Sequence, residues 1–287
     1  MKLGVITDGI SRDFDHALRV MTGAGLEYAE LQFIYDKEVG DMSADERKRA
    51  QKILKKYGAK VSCISRHVFV GLPLPATKPG DAAHKAHMEE LQRCIQMAHE
   101  LECKVVRIMS GRKELILSGE NGAEHWLVSK GAWAGLAPLL EPAVRSAERE
   151  GVTLVIETGF SGMVFSAWCG RKLIDEIGSK HLKLLWDPAN CLYVHEQAWP
   201  DGYEWLRGGF IGHIHMKDVF MDTPKGHVRM RELGHGQMAL QMEPLANALR
   251  AEKFDGVVSY ESVYRPDNGT FEDGFKASLG LFKKVFG

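Results

Sequence analysis

The feature that most restricts the fold is an alternation: a short apolar run, then a stretch of helical spacing, eight times over. The runs cover residues 3–6, 28–33, 60–65, 104–109, 152–156, 182–186, 210–216 and 256–260. Strands apolar on both faces belong in a parallel sheet covered by helices. The spacing predicts helices over 13–25, where Phe14, Ala17, Leu18 and Met21 share a face, and over 81–102, 166–178, 240–253 and 271–286. Ser43 and Glu46 form a capping box opening another, which stops near Gly58. Residues 131–150 read as a helix in which Pro138 and Pro142 predict a kink or a late start. Residues 66–80 and 112–130 read as long loops, and the stretch after 216 as a polar loop. No linker or shift of composition divides the 287 residues, so 1–287 reads as one domain closing into a (β/α)8 barrel. An open doubly wound sheet lacks its glycine-rich turn here.

Four of the runs end on polar groups. Residues 152–156 lead into Glu157, 182–186 into Asp187 and 256–260 into Glu261; the run from Phe210 carries His213 and His215 on one face. In such a barrel, strand C-termini meet at one mouth, where reactive groups gather. Three carboxylates converging there would resist ionisation unless a cation joined them. One imidazole with three carboxylates suits one divalent ion per chain: manganese, magnesium, cobalt or zinc. No thiolate is placed to make a structural zinc site.

Composition removes other classes. A net charge of -1 gives no global attraction to nucleic acid or an acidic membrane. Five cysteines, an odd number without a Cys-x-x-Cys pair, fit a reduced, cytoplasmic protein. The first residues turn polar too early for a signal peptide, and no apolar run approaches the ~20 residues of a membrane span.

Ile156-Glu157, Asp187-Pro188-Ala189-Asn190, His213-Ile214-His215-Met216-Lys217-Asp218 and Glu261 together resemble the xylose isomerase-like barrel superfamily. More narrowly they are similar to its sugar isomerase/epimerase group, which includes hydroxypyruvate isomerase, inosose dehydratase and ketose 3-epimerases. The resemblance implies a metal-dependent isomerase or epimerase, with a small ketose, keto acid or related polyol as substrate. It implies one metal held by Glu157, Asp187, His215 and Glu261, with Glu157 and Glu261 flanking the substrate carbon and moving its proton. A metal on the carbonyl and neighbouring hydroxyl would stabilise the enediolate. The His-x-Lys-Asp pattern selects His215 as the ligand and leaves His213 one layer deeper, packed and hydrogen-bonded. Arg229, before the Gly234-His235-Gly236 turn, resembles an arginine that contacts substrate oxygens, with Arg231 its competitor. His67, Asn190 and His195 follow strand ends and are candidate pocket residues. A homodimer or tetramer is implied at the level of the family.

Return of the proton to the neighbouring carbon isomerises, return to the opposite face epimerises, and loss of a β-substituent makes a lyase. The ligands fit all three, so a dehydratase acting on an inosose or a 3-keto-sugar, including aglycone elimination, is the alternative. Endonuclease IV shares the barrel, but Ile108-Met109-Ser110-Gly111 stands where it has a histidine, and its Asp-x-His is missing before Leu233. A barrel that binds sugar without turnover is the non-enzymatic reading. Lys217 and Asp218 are expected either to orient His215 or to form a surface pair. His84, His87 and His99 are expected on the surface, and Trp199 and Trp205 over the pocket, at a subunit contact or in the core.

Overall fold

The computed structural model describes residues 1–114 and 127–287. Eight parallel strands close a barrel in sequence order: β1 (Lys2–Ile6), β2 (Tyr28–Leu31), β3 (Lys60–Ile64), β4 (Val105–Ile108), β5 (Thr153–Glu157), β6 (Leu182–Trp186), β7 (Ile211–Met216) and β8 (Val257–Tyr260). Closure comes from β1, which pairs with β2 on one side and β8 on the other. Gly4 allows this approach: a Cβ there would lie 2.7 Å from Tyr28 O and 2.9 Å from Val257 Cγ1.

The two-residue period of each strand divides its side chains between two environments. On β5, Leu154 and Ile156 belong to the large apolar cluster shared with the helices, whereas Val155 packs with Cys63 and Leu185 in a separate small cluster. The large cluster is the layer between barrel and helices, where most of the buried apolar area lies. The small one is an inner plug, and above it the inner face carries the polar side chains of Glu30, Arg107, Glu157, His213 and His215. Hydrophobic burial therefore fixes the outer layer, and hydrogen bonds and charge pairs organise the barrel's own interior.

The outer helices are α1 (Phe14–Gly23), α2 (Ala44–Tyr57), α3 (Ala82–Glu100), α4 (Leu127–Glu150), α5 (Ala167–Ile177), α6 (Met242–Ala251) and α7 (Phe271–Phe286). The expected capping box at Ser43 and Glu46 is present, and α2 ends on Gly58 in the left-handed region. Helix α4 starts at Leu127, four residues before the expected Gly131, and runs through Pro138 and Pro142. The loop expected over 112–130 is thus shortened at its C-terminal end, and its residues 115–126 lie outside the described residues. Where a polar loop was expected after β7, an antiparallel hairpin pairs Asp218–Asp222 with His227–Arg231. Alternation in Val219, Met221, Val228 and Met230 was its signal. A smaller hairpin, Phe33–Ile34 with Lys37–Glu38, follows β2. Among the described residues no helix is long and apolar enough to cross a membrane.

Candidate metal and substrate site

The four predicted ligands lie at the C-terminal ends of β5 to β8. Glu157 is the last residue of β5 and His215 the fifth of β7. Asp187 directly follows β6 and caps a short helical turn, its Oδ1 accepting Asn190 N–H at 3.1 Å. Glu261 directly follows β8 and is half-buried, whereas the other three are buried. One donor atom each from Glu157, Asp187 and His215 falls within a 4.8 Å span. Glu261 stands across Lys217, whose Nζ lies 2.6 Å from Glu261 Oε2 and 2.7 Å from Asp187 Oδ2.

Beside this group, Arg107 on β4 donates Nη1–H to Glu157 Oε2 at 2.9 Å, and Nη2–H to Ser65 O at 2.7 Å. Beneath it, Glu30 on β2 accepts from His213 Nε2 at one oxygen and from His215 Nε2 at the other, both at 2.8 Å, and takes the Ser65 hydroxyl as well. Four carboxylates thus face two permanent cations, Arg107 and Lys217, and the imidazoles of His213 and His215.

These pairings set the protonation states. Burial alone would raise Glu157, but the Arg107 guanidinium and His215 hold its carboxyl down at about 2. Burial pushes Asp187 up to about 6 despite the Lys217 ammonium. Burial opposes ionisation of Glu261 too, and Lys217 outweighs it, leaving that carboxyl below its usual value. Desolvation disfavours imidazolium at His215, but Glu30 and Glu157 raise its pKa well above the ordinary histidine value. Glu30, desolvated completely, is nonetheless held well below the carboxylate range by the two imidazoles.

The donors fit a divalent cation. Asp187 Oδ2 meets the Lys217 ammonium at 2.7 Å, and His215 Nδ1 and Asn190 Oδ1 are buried and make no hydrogen bond among the described residues. Buried polar atoms are rarely left this way. Carboxylate oxygens with one imidazole suit the hard and borderline divalent metals.

The other predicted residues fare unevenly. Asn190 is buried, but its amide donates to Thr158 O at 2.9 Å, so it braces the turn that carries Asp187. His67 follows β3, with Nδ1 2.7 Å from Glu38 Oε1 and Nε2 3.4 Å from Gln32 Nε2. His195 is exposed at the end of its turn, with φ at 64°. Arg229 is exposed on the second strand of the long hairpin, and Arg231 lies near the Phe220 ring. The structure does not gather either arginine into the carboxylate cluster. The glycines beyond them serve Asp218 instead. Its two oxygens accept the N–H groups of Gly234, Gly236 and Met238, each at 2.9 Å. A Cβ at Gly236 would collide with the Asp218 carboxylate, and Gly234 has φ at 88°.

Two expectations need correction, and the places left open for the tryptophans are narrowed. Lys217 and Asp218 are not a surface pair: both are buried, the first inside the site and the second tying the hairpin's return. His84 is not on the surface, because its Nε2 bonds Leu139 O at 2.9 Å between α3 and α4. His87 is also partly covered, accepting Phe69 N–H, while His99 is exposed as expected. Trp199 packs on the core with Tyr203, and Trp205 sits with Trp168 on the outer side of α5 rather than over the mouth.

Glu30 and Arg107 were missed. Their signal was a charged residue inside an apolar strand, Tyr28-Ala29-Glu30-Leu31 and Val105-Val106-Arg107-Ile108. A strand buried on both faces tolerates such a residue only when it is paired. Tyr193 and Phe160, stacked 4.8 Å apart, were missed as well; Tyr193 feels the charges of Lys217, Asp187 and Glu261.

An (α/β) barrel with this cluster at its strand C-termini defines a class of acid-rich, metal-competent sites. The chain belongs to the xylose isomerase-like TIM barrel family, whose model matches residues 18–285. Several solved structures share the fold. One is 3-keto-D-glucoside 4-epimerase YcjR from E. coli, 16% identical, with a TM-score of 0.71 over 99% of this chain and 98% of that one. A second is the probable 3-DHS dehydratase AsbF of petrobactin synthesis from Bacillus anthracis, 14% identical, with a TM-score of 0.71 over 99% of each chain. A third is the IolI protein solved with a bound zinc atom, 17% identical, with a TM-score of 0.74 over 100% of this chain and 98% of that one. No curated protein sequence matches the chain.

Proposed function

We propose that the protein is a divalent-metal-dependent isomerase or epimerase of a small ketose, keto acid or related polyol. The observation that carries this reading is the convergence of Glu157, Asp187 and His215 at the barrel mouth, with His215 Nδ1 buried and without a hydrogen bond among the described residues. Glu157, Asp187, His215 and Glu261 would hold the ion, with manganese, magnesium, cobalt and zinc all compatible. When bound, the ion supplies Lewis-acid stabilisation of the enediolate that forms when a proton leaves the carbon beside a carbonyl.

The chain's own groups supply the proton transfers. Glu261 is the more accessible carboxylate and opens into a groove of about 680 Å³ lined by Asp8, Arg12, Gln32, Met230 and Phe271. Its depressed pKa keeps it ionised at neutral pH, as a base must be. Glu157, fixed by Arg107, is the second carboxylate of the pair. The Lys217 ammonium lies between Asp187 and Glu261, where it is available to a substrate oxygen. His67, Asn190, His195 and Arg229 are proposed to contact substrate, with His67 the best placed through its link to Gln32 on the groove.

The same first step serves elimination, and one similar fold belongs to a probable dehydratase. Product analysis separates the two: isomerisation conserves mass, whereas elimination releases water or an aglycone.

Metal content of the purified protein tests the reading first. One divalent ion per chain, lost from the double variant Glu157→Gln/Glu261→Gln, is expected, followed by solvent exchange of a substrate proton in D2O when ketoses and inososes are screened. Three zinc ions per chain would favour phosphodiester cleavage at abasic sites instead. No metal under any loading condition would overturn the mechanism.

A further inference from the structure

Glu30 lies at 0% exposure inside the barrel, directly under the strand-end cluster and outside the proposed ligand set. Its carboxylate can only accept, so the two nitrogens that face it, His213 Nε2 and His215 Nε2, must each carry a hydrogen. For His215 this has a definite consequence. With Nε2–H committed to Glu30, the nitrogen left for any other partner is Nδ1. That atom is buried without a hydrogen bond, 3.4 Å from Glu157 Oε1, and is turned to the side where Glu157 and Asp187 converge.

We propose that Glu30 is the positioning residue of the metal centre: one oxygen fixes the tautomer of His215 so that Nδ1 faces the ion, and the other is anchored by His213. This inference rests on the metal-dependent reading given above. Several features make the clamp stiff. Glu30 comes from β2 and the histidines from β7, so the contact spans the barrel interior instead of joining adjacent strands. Ser65 on the β3 side donates to the same oxygen that holds His215. The two imidazole planes stand at 84° to each other, so neither can take over the other's oxygen by a small rotation. A carboxylate behind a ligating histidine also raises its basicity, and loss of such a partner weakens metal affinity by about 10–100-fold.

The deciding substitution is Glu30→Gln, which keeps shape and reach but replaces one acceptor oxygen with an N–H donor. One imidazole then meets a donor and must turn its own hydrogen to the other nitrogen. Isothermal titration of the metal-free variant with Zn2+ is expected to show binding weakened about 10–100-fold, with an unchanged far-UV spectrum. Wild type loaded with Zn2+ and labelled with 15N-histidine is expected to show Nε2 of His215 protonated and Nδ1 bound to metal. A folded Glu30→Gln protein that binds Zn2+ within about twofold of wild type would overturn the clamp and leave the metal site standing. A wild-type spectrum with Nε2 on the metal would overturn it too, and needs no variant to fold. Wild type that takes up no ion would overturn this inference together with the functional reading beneath it.

Discussion

Two polar layers lie one above the other inside the same barrel, and they are built on opposite terms. In the lower one, both oxygens of Glu30 are taken, by His213 and by His215 with Ser65. In the upper one, Asn190 Oδ1 and His215 Nδ1 make no hydrogen bond among the described residues, and three carboxylates, Glu157, Asp187 and Glu261, share two cations, Arg107 and Lys217. Both layers are buried, so burial does not separate frame from site; satisfaction does. A buried polar network that closes on itself rigidifies its surroundings, while one left open is costly unless something else completes it. His215 belongs to both, one nitrogen in each.

The sharpest way to break this contrast is to remove the upper carboxylates that move protons. Glu157→Gln/Glu261→Gln should lower substrate-proton exchange with solvent by about 10³-fold or more. Because Glu157→Gln strands the buried Arg107 guanidinium, a far-UV spectrum of the double variant accompanies the exchange measurement to show that it folds. A double variant with near wild-type exchange, followed by NMR in D2O, would leave the upper layer without a catalytic role.

Arg107 tests where the frame ends. It is buried against Glu157, Ser65 O and Arg66 O. Arg107→Met strands the Glu157 charge and should cost about 3–5 kcal/mol in urea unfolding, as breaking a buried pair does. A loss under ~1 kcal/mol would mean that solvent reaches Glu157, contrary to its burial.

Lys217 separates charge balance from catalysis. Lys217→Met should leave metal affinity equal or tighter, because its ammonium no longer competes for Asp187 and Glu261. It should also lower kcat/KM by about 10²-fold if the ammonium serves a substrate oxygen. Weaker metal binding would instead make it part of the supporting frame.

The smallest effect is expected outside both layers. Burial would raise Glu38, but His67 and Arg66 hold it below the model-peptide value of 4.5. A depressed folded pKa contributes stability that is complete above 4.5 and is lost as pH falls through the lower folded value. Thermal melts from pH 6 downward should therefore fall less steeply for Glu38→Gln than for wild type. Equal slopes would show that the His67 contact carries no charge-linked stability.

Much of this was legible in the chain. The eight apolar runs and the caps at Ser43, Gly58 and Gly178 are local, because periodicity and turn chemistry act over a few residues. The positions of Glu157, Asp187, His215 and Glu261 followed from one rule, that strand C-termini share a mouth. The hairpin after β7 was hidden by its polar tip, and His84 by helical spacing that does not reveal what packs opposite.

The sequence by itself determined the barrel, its strand order and which residues stand at its mouth, since each depends on neighbours along the chain. Only the tertiary structure decided what those residues meet. Glu30 and His215 are 185 positions apart, Arg107 and Glu157 50, and Lys217 and Glu261 44. Pairings of that kind depend on barrel closure and on which side chain crosses the interior. Desolvation then gives each contact its weight, and no local pattern carries that information.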